Sequence, residues 1–385
     1  DAYLSADAPE VFAMPRTHKL PPHIEALWSQ VLDTLDAVDY VNDTYADTSY
    51  PWPPDRKIAW RHALACMGYP MPSIALVEPP RTREVAFNLH LVARHLPDRL
   101  LEDNYSPFNS ENVLLVHQAL TCGLYRLVTG RNTYDEMLRK TATLIRDRIA
   151  TNGVKSGAFG LDTVKGIYEP PLNAMALMAL EVHDRALGGQ LSQVRDQVLD
   201  FMDRQLTEPD TGLLYNTMTI PQVGLDREDI TLKMAQVAKS VNPTCNALAL
   251  TYLHTFRPEL TEKAWLAYKA RFRAGLLDLT AEDLKSGYAH SFLSPIGLKA
   301  EAFFAAMLAA KEMGDAALYQ ELEARLRKVG EPIYTQGALR YAVLTDADTT
   351  LLTGFVLYAK AHVGWKALLS HDWPKHYNAD YEKAK

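Results

Sequence analysis

The sequence has few cysteines, and their positions exclude two common uses of cysteine. The three thiols lie far apart and form no CxxC or other zinc-type spacing. They predict buried free thiols, which are typical of a reducing compartment, and we expect a cytoplasmic protein. The chain begins at Asp1 and not at Met, so a removed leader also fits this start.

Long apolar runs and an excess of positive charge are missing as well. No run approaches the length of a membrane span, so we expect none. The formal net charge is −7, with acids and bases interspersed, which gives no basic surface for phosphate backbones and excludes nucleic acid as an expected partner.

Nucleotide-binding signatures such as GxGxxG are also absent, and strand patterns are weak, with one candidate short hairpin over 212–218. Helical periodicity dominates the sequence. About twelve helical segments begin near 22, 56, 82, 110, 133, 171, 191, 230 or 242, 259, 297, 315 and 349. Helices joined in pairs without a fixed repeat predict an all-α fold, an (α/α)6 barrel. We predict an extended N-terminal arm over 1–21, one barrel domain over 22–371 and a C-terminal tail over 372–385.

The stretch from Ser110 to Gly130 contains the most informative helix. Its apolar residues recur at helical spacing and form one inward stripe, which His117 interrupts. A histidine at such a position is either a structural side chain with satisfied hydrogen bonds or a functional one, and periodicity leaves both open.

Several short motifs resemble the linalool dehydratase-isomerases, a family of cofactor-free enzymes on an (α/α)6 barrel. They occur in the same order and cover most of the chain from about residue 105 onward: Glu111-Asn112, 123–130, 173–176, 182–185, 208–212 with Tyr215, 311–315, 339–341 and 359–369. The resemblance implies that His117 is an active-site residue, that no cofactor or metal is needed and that the protein forms a homo-oligomer. The sequence also departs from this family, because the two cysteines that the family has in the loop corresponding to 152–172 are missing here. Their positions correspond to Tyr168 and Leu172, and a family tyrosine corresponds to Thr244.

Acidic residues are the alternative proton donors. Asp39, Asp43 and Asp47 recur at every fourth position, and we choose Asp43, next to Tyr45, as the aspartate that the family resemblance implies. Glu169 stands beside Tyr168 just before a helix opened by two prolines, where it either interacts with the helix dipole or replaces a thiol in proton transfer. We predict Asp43, Glu169, Tyr45, Tyr168 and His117 as catalytic residues. Predicted substrate-binding residues are Trp52, Trp60, Phe159, Thr244, Glu301 and Tyr341.

These residues predict a cofactor-independent lyase, isomerase or cyclase that transfers protons on a hydrophobic, alkene-bearing small molecule such as a terpenoid. Three alternatives stay open. One is a glycan-active α/α toroid with paired acids among Asp43, Glu169 and Asp210 in a funnel lined by Trp and Arg. The others are a diphosphate-dependent terpene synthase, for which no DDxxD motif exists, and a non-catalytic binding protein for lipophilic ligands.

Overall fold

A computed structural model describes residues 19–38, 54–96, 111–164, 166–220, 236–286, 299–330, 332–335, 338–341 and 349–373. Its helices are α1 (Pro22–Asp36), α2 (Pro54–Gly68), α3 (Met71–Val77), α4 (Thr82–His95), α5 (Glu111–Thr129), α6 (Asp135–Ser156), α7 (Pro170–Leu187), α8 (Arg195–Phe201), α9 (Pro243–Leu253), α10 (Pro258–Leu277), α11 (Ala281–Ser286), α12 (Lys299–Glu312), α13 (Ala316–Gly330), α14 (Thr349–Ala361) and α15 (Trp365–Ser370). Its strands are β1 (Asp162–Val164), β2 (Ile167–Tyr168), β3 (Thr217–Thr219), β4 (Gln236–Ala238), β5 (Pro332–Thr335) and β6 (Ala338–Tyr341).

Six helices form a closed ring around the axis of the molecule. α2 packs on α5, α5 on α7, α7 on α9, α9 on α12, α12 on α14, and α14 returns to α2. Helices α7 and α12 are buried along nearly their whole length and are rich in alanine and other apolar residues. A helix that neighbours cover on every side needs such a composition all round, which explains why these segments occupy the inner layer.

The remaining long helices form an outer layer around the ring. α1 packs on α14, α4 on α5, α6 on α5 and α7, α10 on α9, and α13 on α12, while α8 is attached to α7 through the short 3₁₀ turn before it. An outer helix such as α4 buries one face only, with Val85, Leu89 and Val92 directed inward. In the described part of the chain this alternation of outer and inner helices confirms the predicted all-α (α/α)6 barrel.

The predicted helix starts lie close to the observed ones, and Gly130 ends α5 with a positive φ of 65°, as a residue after a helix C-terminus should. The short helices α3, α11 and α15 were not predicted. None of them is long enough to display a helical period in the sequence.

The loop at 152–172 and the chain between α8 and α9 contribute a small antiparallel sheet in the order β1–β2–β3–β4. Tyr168 pairs with Met218, and Thr217 pairs with Ala238. These strands are two or three residues long, so a period of two cannot be recognised in the sequence. The sheet brings together the chain before α7 and the chain before α9. No described helix is long and apolar enough to cross a bilayer.

A buried ionic cluster joins the C-terminal ends of α12 and α14 to α13. The Lys360 ammonium lies 2.6 and 2.7 Å from the two carboxylate oxygens of Glu323 and is fully buried. Burial by itself would raise the pKa of Glu323, but Lys360 reverses the effect and holds that pKa below its usual value. Nearby, His362 Nε2 lies 2.6 Å from Glu312, and the His362 ring packs against Tyr358.

A first prediction concerns the close approach of α2 and α14. A Cβ atom on Gly354 would lie 2.9 Å from the backbone nitrogen of Met67 and 3.1 Å from its Cα. Gly354→Ala should therefore push the two helices apart and lower the free energy of unfolding in urea by about 1–3 kcal/mol. Gly275→Ala on the outer helix α10 is the control, since no atom lies within 4 Å of its Cβ position; it should be neutral or stabilise by up to about 1 kcal/mol. Equal effects of the two substitutions would contradict this account.

A second prediction concerns the buried ion pair. Lys360→Met leaves the Glu323 carboxylate buried without its ammonium partner and should cost about 3–5 kcal/mol of unfolding free energy. The double variant Lys360→Met with Glu323→Leu removes both charges and should regain most of that loss. Urea unfolding of the three proteins at neutral pH measures the difference. A double variant no more stable than the single one would show that the charge pairing is not what the single substitution disturbs.

Candidate active site

A cavity of about 250 Å³ occupies the ring next to the four-stranded sheet. Its walls come from α2, α5, α7, α9 and α14 and from the chain beside β3 and β4. The apolar part of the wall includes Val113, Leu172, Met175, Leu248 and Phe355. The polar part near the sheet includes Asn216, Thr217, Ser240, Asn242 and Thr244. The cavity therefore has an apolar interior and a hydroxyl- and amide-rich rim.

His117 lies on the cavity wall inside a continuous line of hydrogen bonds. Its Nε2 is 2.5 Å from Nδ1 of His62, and its Nδ1 is hydrogen-bonded to the hydroxyl of Tyr69. The other ring nitrogen of His62 lies 3.6 Å from the sulfur of Cys66. We call Tyr69, His117, His62 and Cys66 the polar line; all four border the cavity.

Burial holds every member of the polar line neutral. It lowers the pKa of His62 to about 3 and that of His117 well below its usual value, with His62 adding to the shift of His117. It also raises the pKa of Cys66 to about 12 and that of Tyr69 well above its usual value. The line therefore consists of two neutral imidazoles between a thiol and a phenol.

Glu169 approaches the cavity from α7. It occupies the residue position before this helix, yet its carboxylate makes no capping bond to the helix backbone. The carboxylate instead accepts a hydrogen bond of 2.7 Å from Thr163 Oγ1 and borders the cavity. Burial raises the pKa of Glu169, and the bond from Thr163 offsets part of the shift. This orientation suits a general acid rather than a helix cap, and the raised pKa favours the protonated form.

Two equivalent amide clamps fix the entrances of α7 and α9. Asn173 bonds both backbone groups of Leu161, at 2.7 Å to its N–H and 3.1 Å to its carbonyl. Asn246 likewise bonds both backbone groups of Leu214, at 2.7 Å to its N–H and 2.8 Å to its carbonyl. Both asparagines end a Pro-x-x-Asn sequence at the start of a ring helix, so the two clamps place Glu169 and Asn242 at corresponding positions on the cavity.

The start of α9 adds a hydroxyl and a thiol to the wall. Asn242 caps this helix by accepting hydrogen bonds from the backbone N–H groups of Thr244 and Cys245. The Thr244 hydroxyl borders the cavity and is buried without a hydrogen-bond partner in the described structure, so it is available to a ligand. Burial raises the pKa of Cys245 to about 12, and the carboxyls of Glu169 and Glu301 act on it in the same sense.

The predicted residues separate into three groups. His117, Glu169 and Thr244 border the cavity, as does Leu172, and the structure brings them together. Tyr168 does not border it, because successive strand residues point to opposite sides: Glu169 faces the cavity while Tyr168 is buried against Phe201, with ring centroids 5.9 Å apart. Phe159 packs against Gly153 of α6 and Glu301 is buried within α12, so neither borders the cavity.

Most of the other predicted residues lie outside the part of the chain that the structure describes. Asp43, Tyr45 and Trp52, together with Asp39 and Asp47, lie outside the described residues, as do the side chains of Trp60 in α2 and Tyr341 in β6. Asp210 is exposed in a surface turn and does not border the cavity. Among the described residues no group of three or more His, Cys, Asp or Glu side chains could hold a metal ion.

Sequence reasoning missed His62, Cys66 and Tyr69. His62 and Cys66 are one helical turn apart on α2, a spacing that places them on the same face and was available as a signal. The resemblance directs attention to thiols in the loop at 152–172. The structure instead places two thiols on the cavity from other elements, Cys66 on α2 and Cys245 on α9. Cys66 and Cys122 are buried free thiols as predicted, while Cys245 is partly exposed.

No protein-family model matches the sequence. Solved structures similar to this chain include the GH76A α-1,6-mannanase from Salegentibacter sp. HEL1_6, at 11% identity and a TM-score of 0.46 over 80% of this chain and 90% of that chain. Two inactive variants of this mannanase are similar at 12% identity. The complex with α-1,6-mannotriose has a TM-score of 0.46 over 78% of this chain and 89% of that one. The complex with α-1,6-mannotetrose has a TM-score of 0.43, with 77% and 87% covered.

These comparisons contradict the main function predicted from the sequence. The resemblance implies a lyase, isomerase or cyclase of a terpenoid, whereas the similar solved structures are α-1,6-mannanases. The lyase or isomerase prediction is therefore wrong. Membership of the linalool dehydratase-isomerase family stays a prediction.

A third prediction follows from Glu301. Burial raises its pKa from 4.5 to about 8, so the folded protein keeps this carboxyl neutral while the unfolded chain ionises it. The contribution to stability is fully present below pH 4.5 and is lost as the pH rises toward 8. Glu301→Gln should remove this loss and raise the free energy of unfolding at pH 8.5, relative to wild type, by roughly 2–5 kcal/mol.

Urea unfolding at pH 4.5, 6.5 and 8.5 measures this effect. Glu262→Gln, on the exposed face of α10, is the control and should keep the pH dependence of the wild type. Parallel pH profiles for Glu301→Gln and wild type would contradict the neutral buried carboxyl.

Proposed function

We propose that the chain is a hydrolase that cleaves an acid-labile carbon–oxygen bond, of the glycoside type, in a small molecule bound in the cavity. The observation that carries this proposal is the Glu169 carboxyl. It borders the cavity, is oriented by Thr163, makes no capping bond, and has a pKa raised by burial. A carboxyl whose pKa is raised holds its proton to a higher pH and can donate it to a leaving-group oxygen, the general-acid step of glycoside hydrolysis.

The distribution of polar and apolar groups supports a substrate with two unlike ends. Asn216, Ser240 and Asn242 at the rim offer amide and hydroxyl groups, and the unpartnered Thr244 hydroxyl lies beside them. Sugar hydroxyls are both donors and acceptors and match such a rim. Deeper in the cavity, Leu248 and Phe355 provide an apolar wall that suits a hydrocarbon or aromatic leaving group.

The described lining favours a compact glycoside over a long glycan. A funnel for an extended sugar chain is expected to carry Trp and Arg side chains, and the described lining contains neither. The volume of about 250 Å³ is also small for a binding site. Among the three acids named for the glycan-active alternative, Glu169 is the one that the described lining contains. The group that activates water then belongs to the polar line on α2 and α5.

A fourth prediction tests Glu169 with a panel of alkyl and 4-nitrophenyl glycosides together with α-1,6-mannooligosaccharides. Glu169→Gln keeps the size of the side chain and removes its acidic proton. On alkyl glycosides it should lower kcat/KM by about 10²–10⁴-fold. On 4-nitrophenyl glycosides the loss should be smaller, because a stable phenolate needs little protonation as it leaves. Release of reducing sugar and of nitrophenolate measures the two cases.

Glu181→Gln provides the matched control on the same helix. Its carboxylate lies 3.5 Å from Arg195, away from the cavity, and its removal should leave kcat/KM unchanged. Equal losses on both kinds of leaving group would contradict the general-acid role. A cavity that binds apolar ligands tightly while no glycoside is turned over would overturn the proposal in favour of a non-catalytic binding protein.

A further inference from the structure

We propose that the polar line is a proton relay whose two ends, the Tyr69 hydroxyl and the Cys66 thiol, exchange protons with a molecule in the cavity. In the proposed hydrolysis the relay supplies the second proton-transfer group of the site, and this use of the relay rests on the proposed function. Its existence is a property of four side chains and can be tested without any substrate.

Hydrogen bonds at the ring nitrogens limit how the two imidazoles can transfer a proton. Both ring nitrogens of His117 are engaged, one with Tyr69 and the other with His62. His117 therefore cannot take a proton from a ligand unless it passes one to a neighbour at the same time. His62 is held likewise between His117 and Cys66.

Two complete hydrogen-bond directions satisfy the line. In the first, Tyr69 donates to His117 Nδ1, His117 Nε2–H donates to His62 Nδ1, and His62 Nε2–H donates to the Cys66 sulfur. In the second, every proton sits at the other end of its bond, so that Cys66 donates to His62 and His117 donates to Tyr69. Each neutral imidazole carries one N–H in both directions, and the directions differ only by the tautomers of the two histidines.

Passing from the first direction to the second moves one proton through the line. Tyr69 Oη accepts a proton from the attacking water as its own proton goes to His117 Nδ1. The Nε2 proton of His117 goes to His62 Nδ1, and the Nε2 proton of His62 goes to the Cys66 sulfur. The thiol proton leaves to water in the cavity, through which the Glu169 carboxylate regains the proton that it gave to the leaving group. One proton enters, one leaves, and no member becomes charged. Passage of a proton between cavity waters in the opposite sense restores the first direction.

The surroundings favour this neutral transfer over charged intermediates. No Arg or Lys side chain borders the described cavity, and the phenols of Tyr252 and Tyr358 lie on the same wall as Tyr69, with Tyr358 5.5 Å from it between ring centroids. Burial disfavours an imidazolium at His62 or His117 and a thiolate at Cys66. Concerted shuttling avoids that cost.

A fifth prediction uses histidine tautomers as the measurement. An orphaned N–H is less readily tolerated in a buried site than an orphaned acceptor, so removing either end should fix the direction of the whole line. Tyr69→Phe should place the proton of His62 on Nε2, toward Cys66. Cys66→Ala should place it on Nδ1, toward His117. Long-range ¹H–¹⁵N spectra of ¹⁵N-histidine-labelled protein, assigned with His62→Gln and His117→Gln, distinguish the two tautomers.

Cys122→Ala is the control, because this buried thiol lies outside the cavity and should leave the wild-type histidine pattern unchanged. Thermal unfolding confirms that each variant is folded. The same His62 tautomer in Tyr69→Phe and Cys66→Ala, or protonation of either imidazole near its ordinary pKa, would overturn the relay. These outcomes do not depend on finding a substrate, so failure of the relay and failure of the proposed hydrolase are distinguishable.

Discussion

The closed ring of six helices is the constraint on which the other features of the molecule depend. Because α2 contacts both α5 and α14, the ring has no open edge, and side chains that point to its axis leave bulk water. A polar group buried at the axis or between the two layers of helices must find a partner or give up its charge. Lys360 and Glu323 find a partner in each other and form an ion pair. The four residues of the polar line give up their charge and stay neutral.

The same constraint explains how the cavity acquires its two characters. Ring-helix residues such as Met175, Leu248 and Phe355 form the apolar part of the cavity wall, and the polar line on α2 and α5 interrupts it. The other polar groups enter mainly where backbone must leave the ring, at the helix entrances fixed by Asn173 and Asn246. The sheet joins these entrances and adds Asn216 and Ser240. A substrate with an apolar part and a hydroxyl-bearing part follows from this division rather than from any one residue.

The chemistry of the cavity depends on few residues. A barrel of this kind presents side chains from several helices to one space, so the reaction depends on which residues occupy a few wall positions. Here those positions hold one carboxyl, two imidazoles and two thiols. The thiols come from α2 and α9 and not from the loop before α7, so the site contains sulfur although that loop has no cysteine.

The sequence by itself determined the helical periods, the approximate starts of the long helices and, through their pairing, the barrel. It also indicated His117 and Glu169, because each is an exception to a local pattern: a histidine on an apolar stripe and an acid beside two prolines. Only the tertiary structure decided which residues meet at the axis. Contacts such as that between His62 and His117 join positions 55 residues apart, and they depend on the rotation of each helix about its own axis. A local pattern shows which face of a helix is buried, but not which residues of other helices that face contacts. The tertiary structure was therefore needed to identify the polar line, the amide clamps and the direction of the Tyr168 side chain.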